Sequence, residues 1–374
     1  MATLTYPELK TLVASVVTTS KLSNASFAES RNNTAGLLDK IGKIVTLDTN
    51  YQIDKLNVFD GEYLSFGKTI EEWNEDLILP VDYDPTGATA LAPHDPTYRP
   101  VFYSYTIGRK EIPTTIRNND LERAVHFEEQ YVSLISMKLK RMSDSMASYR
   151  YQVKREMIAK LIALCDTAMN PAGTTFVAST AYSVGTFLRA GTSPDKFGVV
   201  FKEIKVADAL ANWAAAVSGG YVVELDLIQE IAMPVDTTTG EAFIKQIKKD
   251  IERASDQNAG NSLNGNYLGA TEGLALILCQ GINPSLDVDT LAGAFQVEKL
   301  ALPAEIIVVK DFGSDSSNSY AVLIDKRGMR LHNTYRAVRD QNNGEGDFIS
   351  YFDHTEDTAY FSRNTFVKVY RKPA

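Results

Sequence analysis

Between Thr114 and Asn170 the apolar residues keep helical spacing, and no Gly or Pro interrupts them over 57 residues. Tyr131, Ile135, Leu139, Met142, Met146, Tyr149, Val153, Met157, Leu161 and Leu164 recur every three or four positions, which places them on one stripe of a helix. Pro113, Asn118 and Asn119 stand at the start of the run, and Pro171 and Gly173 follow it, so both ends carry stop signals. About fifty helical residues would span roughly 75 Å, whereas an average helix has about 11–12 residues. The pattern predicts a rod, and a rod of that length implies an extended subunit made for assembly.

The rest of the chain reads as mixed helix and strand. Residues 1–59 alternate short amphipathic stretches with polar breaks and show no self-sufficient core, which is the pattern of an arm. Residues 60–113 read as a long hairpin-like excursion. Tyr63, Phe66, Ile70, Trp73 and Leu77 mark one limb, and Val101, Tyr103, Tyr105 and Ile107 alternate along the returning one. Five prolines from Pro80 to Pro100 exclude regular pairing at its tip. An irregular loop of that length suits an excursion that leaves the subunit and lies on a neighbour. Further on, Phe201, Ile204, Ala207, Leu210 and Trp213 predict a helix over 201–217, and a second helix is expected from Gly240 to Ala254. Strands are expected at 221–225, 274–278, 306–309 and 320–324, with a terminal alternating strand ending at Tyr370.

Composition narrows the class. A chain of 374 residues has room for two or three cores, and no apolar run reaches the ~18 residues of a membrane span. Leu12–Val17 follows Glu8 and Lys10 and is too short for a secretion signal, so the chain reads as cytoplasmic. Cys165 and Cys279 read as small buried hydrophobes of a reducing compartment. A net charge of −9 argues against a general nucleic-acid binder. That charge is unevenly spread. Residues 56–100 hold nine acids against Lys68 and Arg99, while residues 138–160 hold seven bases against Asp144 and Glu156.

Catalytic chemistry finds no foothold. His94, His126, His332 and His354 lack metal-ligand spacing and no cysteines are paired, so no metal and no cofactor are expected. Gly260, Gly265 and Gly269 lack the Lys-Ser/Thr of a phosphate-binding loop. Glu71, Glu72, Glu75 and Asp76 have the spacing of an exposed face, with no electrophile or oxyanion donor nearby. No catalytic residue is named.

The order of parts, together with several short motifs, resembles the major capsid proteins of tailed bacteriophages, the Hong Kong 97-type fold. Phe66-Gly67-Lys68-Thr69-Ile70-Glu71-Glu72 is similar to the opening of the extended loop in capsid proteins of small short-tailed phages. Tyr105-Thr106-Ile107, Thr115-Ile116 and Asp120-Leu121-Glu122-Arg123-Ala124 resemble the passage from that loop to the spine helix. Leu291–Phe295, Val308–Phe312 and Ala321–Met329 resemble later segments of the same group.

The resemblance implies an α+β fold with an N-terminal arm (1–59), an extended loop (60–113) and a peripheral domain with the spine helix (114–200). An axial domain (201–330) and C-terminal strands returning to the peripheral domain (331–374) complete it. It further implies a homo-oligomer of hexamers and pentamers that encloses double-stranded DNA in a virion, assembled in the host bacterial cytoplasm without a membrane. Portal, scaffold and decoration proteins would be its partners. Trp73, Tyr83, Pro85, His94 and Tyr98 are the expected intersubunit residues of the loop. Lys138, Lys140, Arg150, Lys154 and Arg155 are the expected inner-wall set in non-specific contact with DNA. Some members of the family weld neighbours through a loop lysine, but Pro80–Pro100 contains no Lys, which argues against covalent cross-linking here. The competing readings are an encapsulin-like cargo compartment and, in another class, a cytoplasmic hydrolase.

Overall fold

The apolar stripe forms helix α1 (Glu128–Met169), 42 residues and about 63 Å long. The structure, a computed structural model, describes residues 54–75, 85, 98–102, 104–117, 128–170, 174–191, 195–257, 259–266, 269, 273–282 and 304–373. All of them lie in the unit Tyr51–Ala374, which is distinct from Met1–Asn50. The helix begins later than its pattern predicts. Thr114, Thr115 and Ile116 belong to a strand instead, where they pair with Tyr351, Ser350 and Ile349. Three β-branched residues after a proline lose side-chain freedom in a helix and suit a pleated surface. The expected helical residues 118–127 lie outside the described ones.

In chain order the strands begin with β1 (Asp60–Tyr63), β2 (Glu71–Glu75), β3 (Tyr98–Phe102) and β4 (Ser104–Arg117). After α1 come β5 (Phe187–Arg189), β6 (Phe197–Val200), β7 (Val222–Glu224), β8 (Ile228–Glu230) and β9 (Leu274–Cys279). The last are β10 (Ala304–Val309), β11 (Ser319–Asp325), β12 (Met329–Asn343), β13 (Phe348–Phe361) and β14 (Val367–Arg371). Helix α2 spans Trp213–Ser218 and helix α3 spans Thr237–Ala254.

A five-stranded sheet in the order β10-β9-β11-β14-β8 forms the middle of an α/β/α sandwich. Strand β9 reads Leu-Ala-Leu-Ile-Leu-Cys, with its first five residues buried, because both faces of the sheet are covered. Leu274, Leu276 and Leu278 share a core with Phe243, Ile247 and Ile251 of α3. Ala275 and Ile277 point the other way and share a core with Met157, Leu161 and Cys165 of α1. The two-residue period of the strand thus feeds two helices from one short run. Leu56 and Phe59, fully buried, belong to the α1 core.

A second sheet, β1-β12-β13-β4, is built on long strands. Strands β12 and β13 pair antiparallel from Met329↔Phe361 to Asn343↔Phe348, and β13 pairs antiparallel with β4 from Phe348↔Arg117 to Tyr360↔Ser104. Strands β2 and β3 pair antiparallel, with Pro100 of β3 opposite Trp73. Within a two-stranded ribbon each strand is an edge, where a proline is tolerated.

The small sheet β5-β6-β7 carries its own core of Leu188, Val200, Ile204, Trp213, Ala216 and Val222. A side chain at Gly198 would meet the Val223 carbonyl at 2.7 Å and the Trp213 ring at 3.0 Å, so the strand needs glycine there. The domain boundary expected between 200 and 201 therefore cuts a single sheet. The helix expected over 201–217 is also shorter than its pattern. Ile204 forms a backbone bridge with Tyr182, Ala209 turns at φ 47°, and Asn212 accepts a hydrogen bond from the Ala215 N–H at 2.9 Å, so α2 starts only at Trp213. Helix α3 starts three residues earlier than expected because Asp236 caps it, accepting from the Thr239 N–H at 2.8 Å.

Candidate assembly surfaces

The loop between β1 and β2 is fastened at its base by polar contacts. The Lys68 ammonium meets the carboxylate of Glu356, a nearly buried residue of β13, and Arg109 stands 3.7 Å from the other oxygen. The Ile70 N–H donates to Ser104 Oγ at 3.0 Å. Glu72 accepts from Ser362 Oγ at 2.8 Å and Asn364 Nδ2 at 3.0 Å. Gly67 makes the turn at φ +74°, a conformation open to glycine. On either side of these fastenings in the chain, Phe66 is 93% exposed, Trp73 65% and Tyr63 60%. Three large apolar side chains along one short segment, on a held base, mark an interaction surface.

Of the loop residues expected at subunit contacts, Trp73 lies on β2 and Tyr98 on β3, and the β2–β3 register brings them onto one hairpin with Glu75 opposite Tyr98. Pro85 is exposed. Tyr83 and His94 lie outside the described residues.

The basic residues of α1 separate into two groups. Lys154 is fully buried; its ammonium contacts the Asp54 carboxylate and stands 2.7 Å from Asp60. Arg150 stands 3.2 Å from the same Asp60 and donates to the Leu331 carbonyl at 3.4 Å. Arg155 pairs with the Asp311 carboxylate and donates through Nε to the Asp311 carbonyl at 3.1 Å. These three were expected on an inner wall. The structure turns them toward their own subunit, because a charge taken from water needs a partner at hand. They fasten the helix to β1, to β12 and to the turn after β10. Lys138 and Lys140 are half-buried, and Lys138 donates to the Thr115 carbonyl at 3.2 Å. The acids that hold Lys154 and Arg150 sit about a hundred positions upstream, a pairing that charge patterning along one helix does not reveal.

Burial pushes the Cys165 thiol up to about 12, with Asp166 adding to it and Arg371 opposing. Burial likewise pushes Cys279 up to about 11. Both are thiols at neutral pH, poor nucleophiles and poor metal ligands. Among the described residues no group of three or more His, Cys, Asp or Glu could hold a metal ion. No helix among them is long and apolar enough to cross a membrane.

A long helix beneath a mixed sheet, a long-stranded second sheet and a two-stranded ribbon whose base is tied to Glu356 and Ser362 together define a phage capsid subunit of the Hong Kong 97 type. Solved structures share this fold at low identity. The capsid structure of Staphylococcus phage Andhra aligns with a TM-score of 0.54 at 10% identity, over 89% of this chain and 88% of that one. The capsid structure of cyanophage P-SCSP1u gives 0.51 at 12%, over 89% and 91%. A chain from the structure of head fiber and inner core protein gp22 of native bacteriophage P68 gives 0.54 at 11%, over 88% and 87%. No curated protein sequence matches. The chain belongs to the Phi29-like phage major capsid protein family, whose model matches residues 8–367. It is a head shell-forming structural protein of the virion, and neither the compartment nor the hydrolase reading is favoured.

Proposed function

We propose that this chain builds a closed icosahedral head from hexamers and pentamers of itself and encloses double-stranded DNA. The observation that carries this is the exposed apolar row Tyr63, Phe66 and Trp73 on a base pinned to β13, within a family of head-shell proteins. Such a row gains stability only when a neighbouring copy covers it, at about 25 cal/mol per Å² of apolar area. The parts divide as an arm, an extended loop, a peripheral part around α1 and an axial part around the five-stranded sheet, with the later strands returning to the peripheral part. Assembly takes place in the host bacterial cytoplasm, with a portal, a scaffold and decoration proteins as partners. DNA contacts are non-specific and salt-screened, and of the basic set on α1 they fall to Lys138 and Lys140.

Purified chains concentrated at physiological salt and viewed by negative-stain electron microscopy should form closed shells or capsomers. A compact monomer that persists at high concentration would overturn the proposal. Shells filled with protein cargo instead of DNA would point to a compartment.

A further inference from the structure

A basic recess lies on the four-stranded sheet where β4, β12 and β13 run side by side. It measures about 290 Å³ and is lined by Arg109, Lys110, Glu111, Tyr335, Arg339 and His354. The Arg109 guanidinium stacks over the Tyr335 ring at 4.0 Å, and Arg339 donates to the Tyr335 hydroxyl at 3.3 Å. One aromatic ring therefore sets the place of two guanidinium groups. Arg109 shares the Glu356 carboxylate with Lys68, and His354 Nδ1 stands 3.8 Å from Glu111. Among the described residues neither Lys110 nor Arg339 has a carboxylate partner. Lys68, Arg109, Lys110 and Arg339 thus stand against Glu111 and Glu356, four cations against two carboxylates.

The recess opens on the side of the sheet turned away from α1. Arg150 of α1 stands 3.8 Å from Asp357, and Thr355 donates to the same carboxylate at 3.4 Å, so both strand residues face the helix. Successive strand residues alternate sides, which turns His354 and Glu356 to the opposite face.

We propose that this recess binds a soluble oligophosphate anion through Arg109, Lys110 and Arg339. Guanidinium groups fixed by a ring offer forked hydrogen bonds to phosphate oxygens, and a lysine adds a point charge. At about 30 Å³ per water molecule, the space exceeds what one phosphate group fills. The face decides against packaged DNA as the source of the phosphate, since the DNA contacts proposed above fall to Lys138 and Lys140 of α1. That choice of source rests on the proposed function, whereas the anion site itself does not.

The site is tested on full-length chains kept below the concentration at which they assemble, so the result is read whether or not shells form. Titration calorimetry with inorganic tripolyphosphate at low salt should show one site per chain. Arg339→Gln should weaken that binding about tenfold. Lys245→Gln, a change at an exposed position on α3, should leave it unaltered. On the unsubstituted chain, tripolyphosphate should slow hydrogen exchange at residues 109–111 and 339, a readout that needs no variant to fold. Absence of binding, equal binding by Arg339→Gln, or slowed exchange only at other residues overturns the site. A short DNA duplex that binds more tightly than tripolyphosphate, and loses that advantage in Arg339→Gln, overturns the soluble source and assigns the recess to DNA.

Discussion

In the five-stranded sheet, β9 buries Leu274, Ala275, Leu276, Ile277 and Leu278, while in the four-stranded sheet β13 buries Asp353, Thr355, Glu356, Asp357 and Thr358. The first sheet is covered by helices on both faces and is stabilised by removing apolar surface from water. The second is held by partners for its charges: Arg336 stands 3.5 Å from Asp353, Lys68 meets Glu356, and Asn333 donates to Asp357 at 3.0 Å. Ion pairs of this kind lose solvation when formed and are a weak source of stability. They do fix position, and the elements they position are the hairpin base and the long helix. The contrast separates a sheet that keeps the subunit folded from a sheet that aims its assembly surfaces.

If that separation holds, a truncation in the first sheet should cost the most. Leu276→Ala leaves a cavity between α3 and the sheet and should lower subunit stability by about 3 kcal/mol, measured by urea unfolding of unassembled chains. A loss under about 1 kcal/mol would mean that the five-stranded sheet is not the stabilising element.

The linkage between the helix and β1 should cost less. Lys154→Met keeps most of the buried stem but strips Asp54 and Asp60 of their shared cation. Both carboxylates are partly exposed, at 18% and 37%, and can regain water. The expected loss is about 2 kcal/mol, smaller than for a fully enclosed pair. An unchanged midpoint would show that the ammonium contributes nothing to holding α1.

The smallest effect on the subunit belongs to Trp73→Ala. A largely exposed side chain should change unfolding by under about 0.5 kcal/mol, while shell yield in a sedimentation assay falls. Unfolding as severe as that of the core variant, or normal shell yield, would erase the distinction between the folding sheet and the assembly hairpin.

Local pattern alone announced the long helix, strands β9, β10, β11 and β14 of the aliphatic sheet and helix α3, because each carries an apolar period in consecutive residues, whereas the three-residue β8 carries too short a run to be read. The fold class was legible in the order of the parts and in short motifs shared with the family, while most of the proline-rich tip lies outside the described residues. The longest pairing, β12 with β13, was not legible. Asn343-Gly344 is a hairpin signal, but the flanking strands bury carboxylates and threonines, so no apolar alternation announces them. The helix over 201–217 was misread because Ile204 and Leu210 have helical spacing, yet a backbone bridge to Tyr182 and the Asn212 cap decide the conformation. For the basic residues of α1 the sequence supplied charge but not direction. Only the folded chain brings Asp54, Asp60 and Asp311 beside Lys154, Arg150 and Arg155, since periodicity places a side chain on a face, whereas its ionic partner is set by segments that meet through long-range packing.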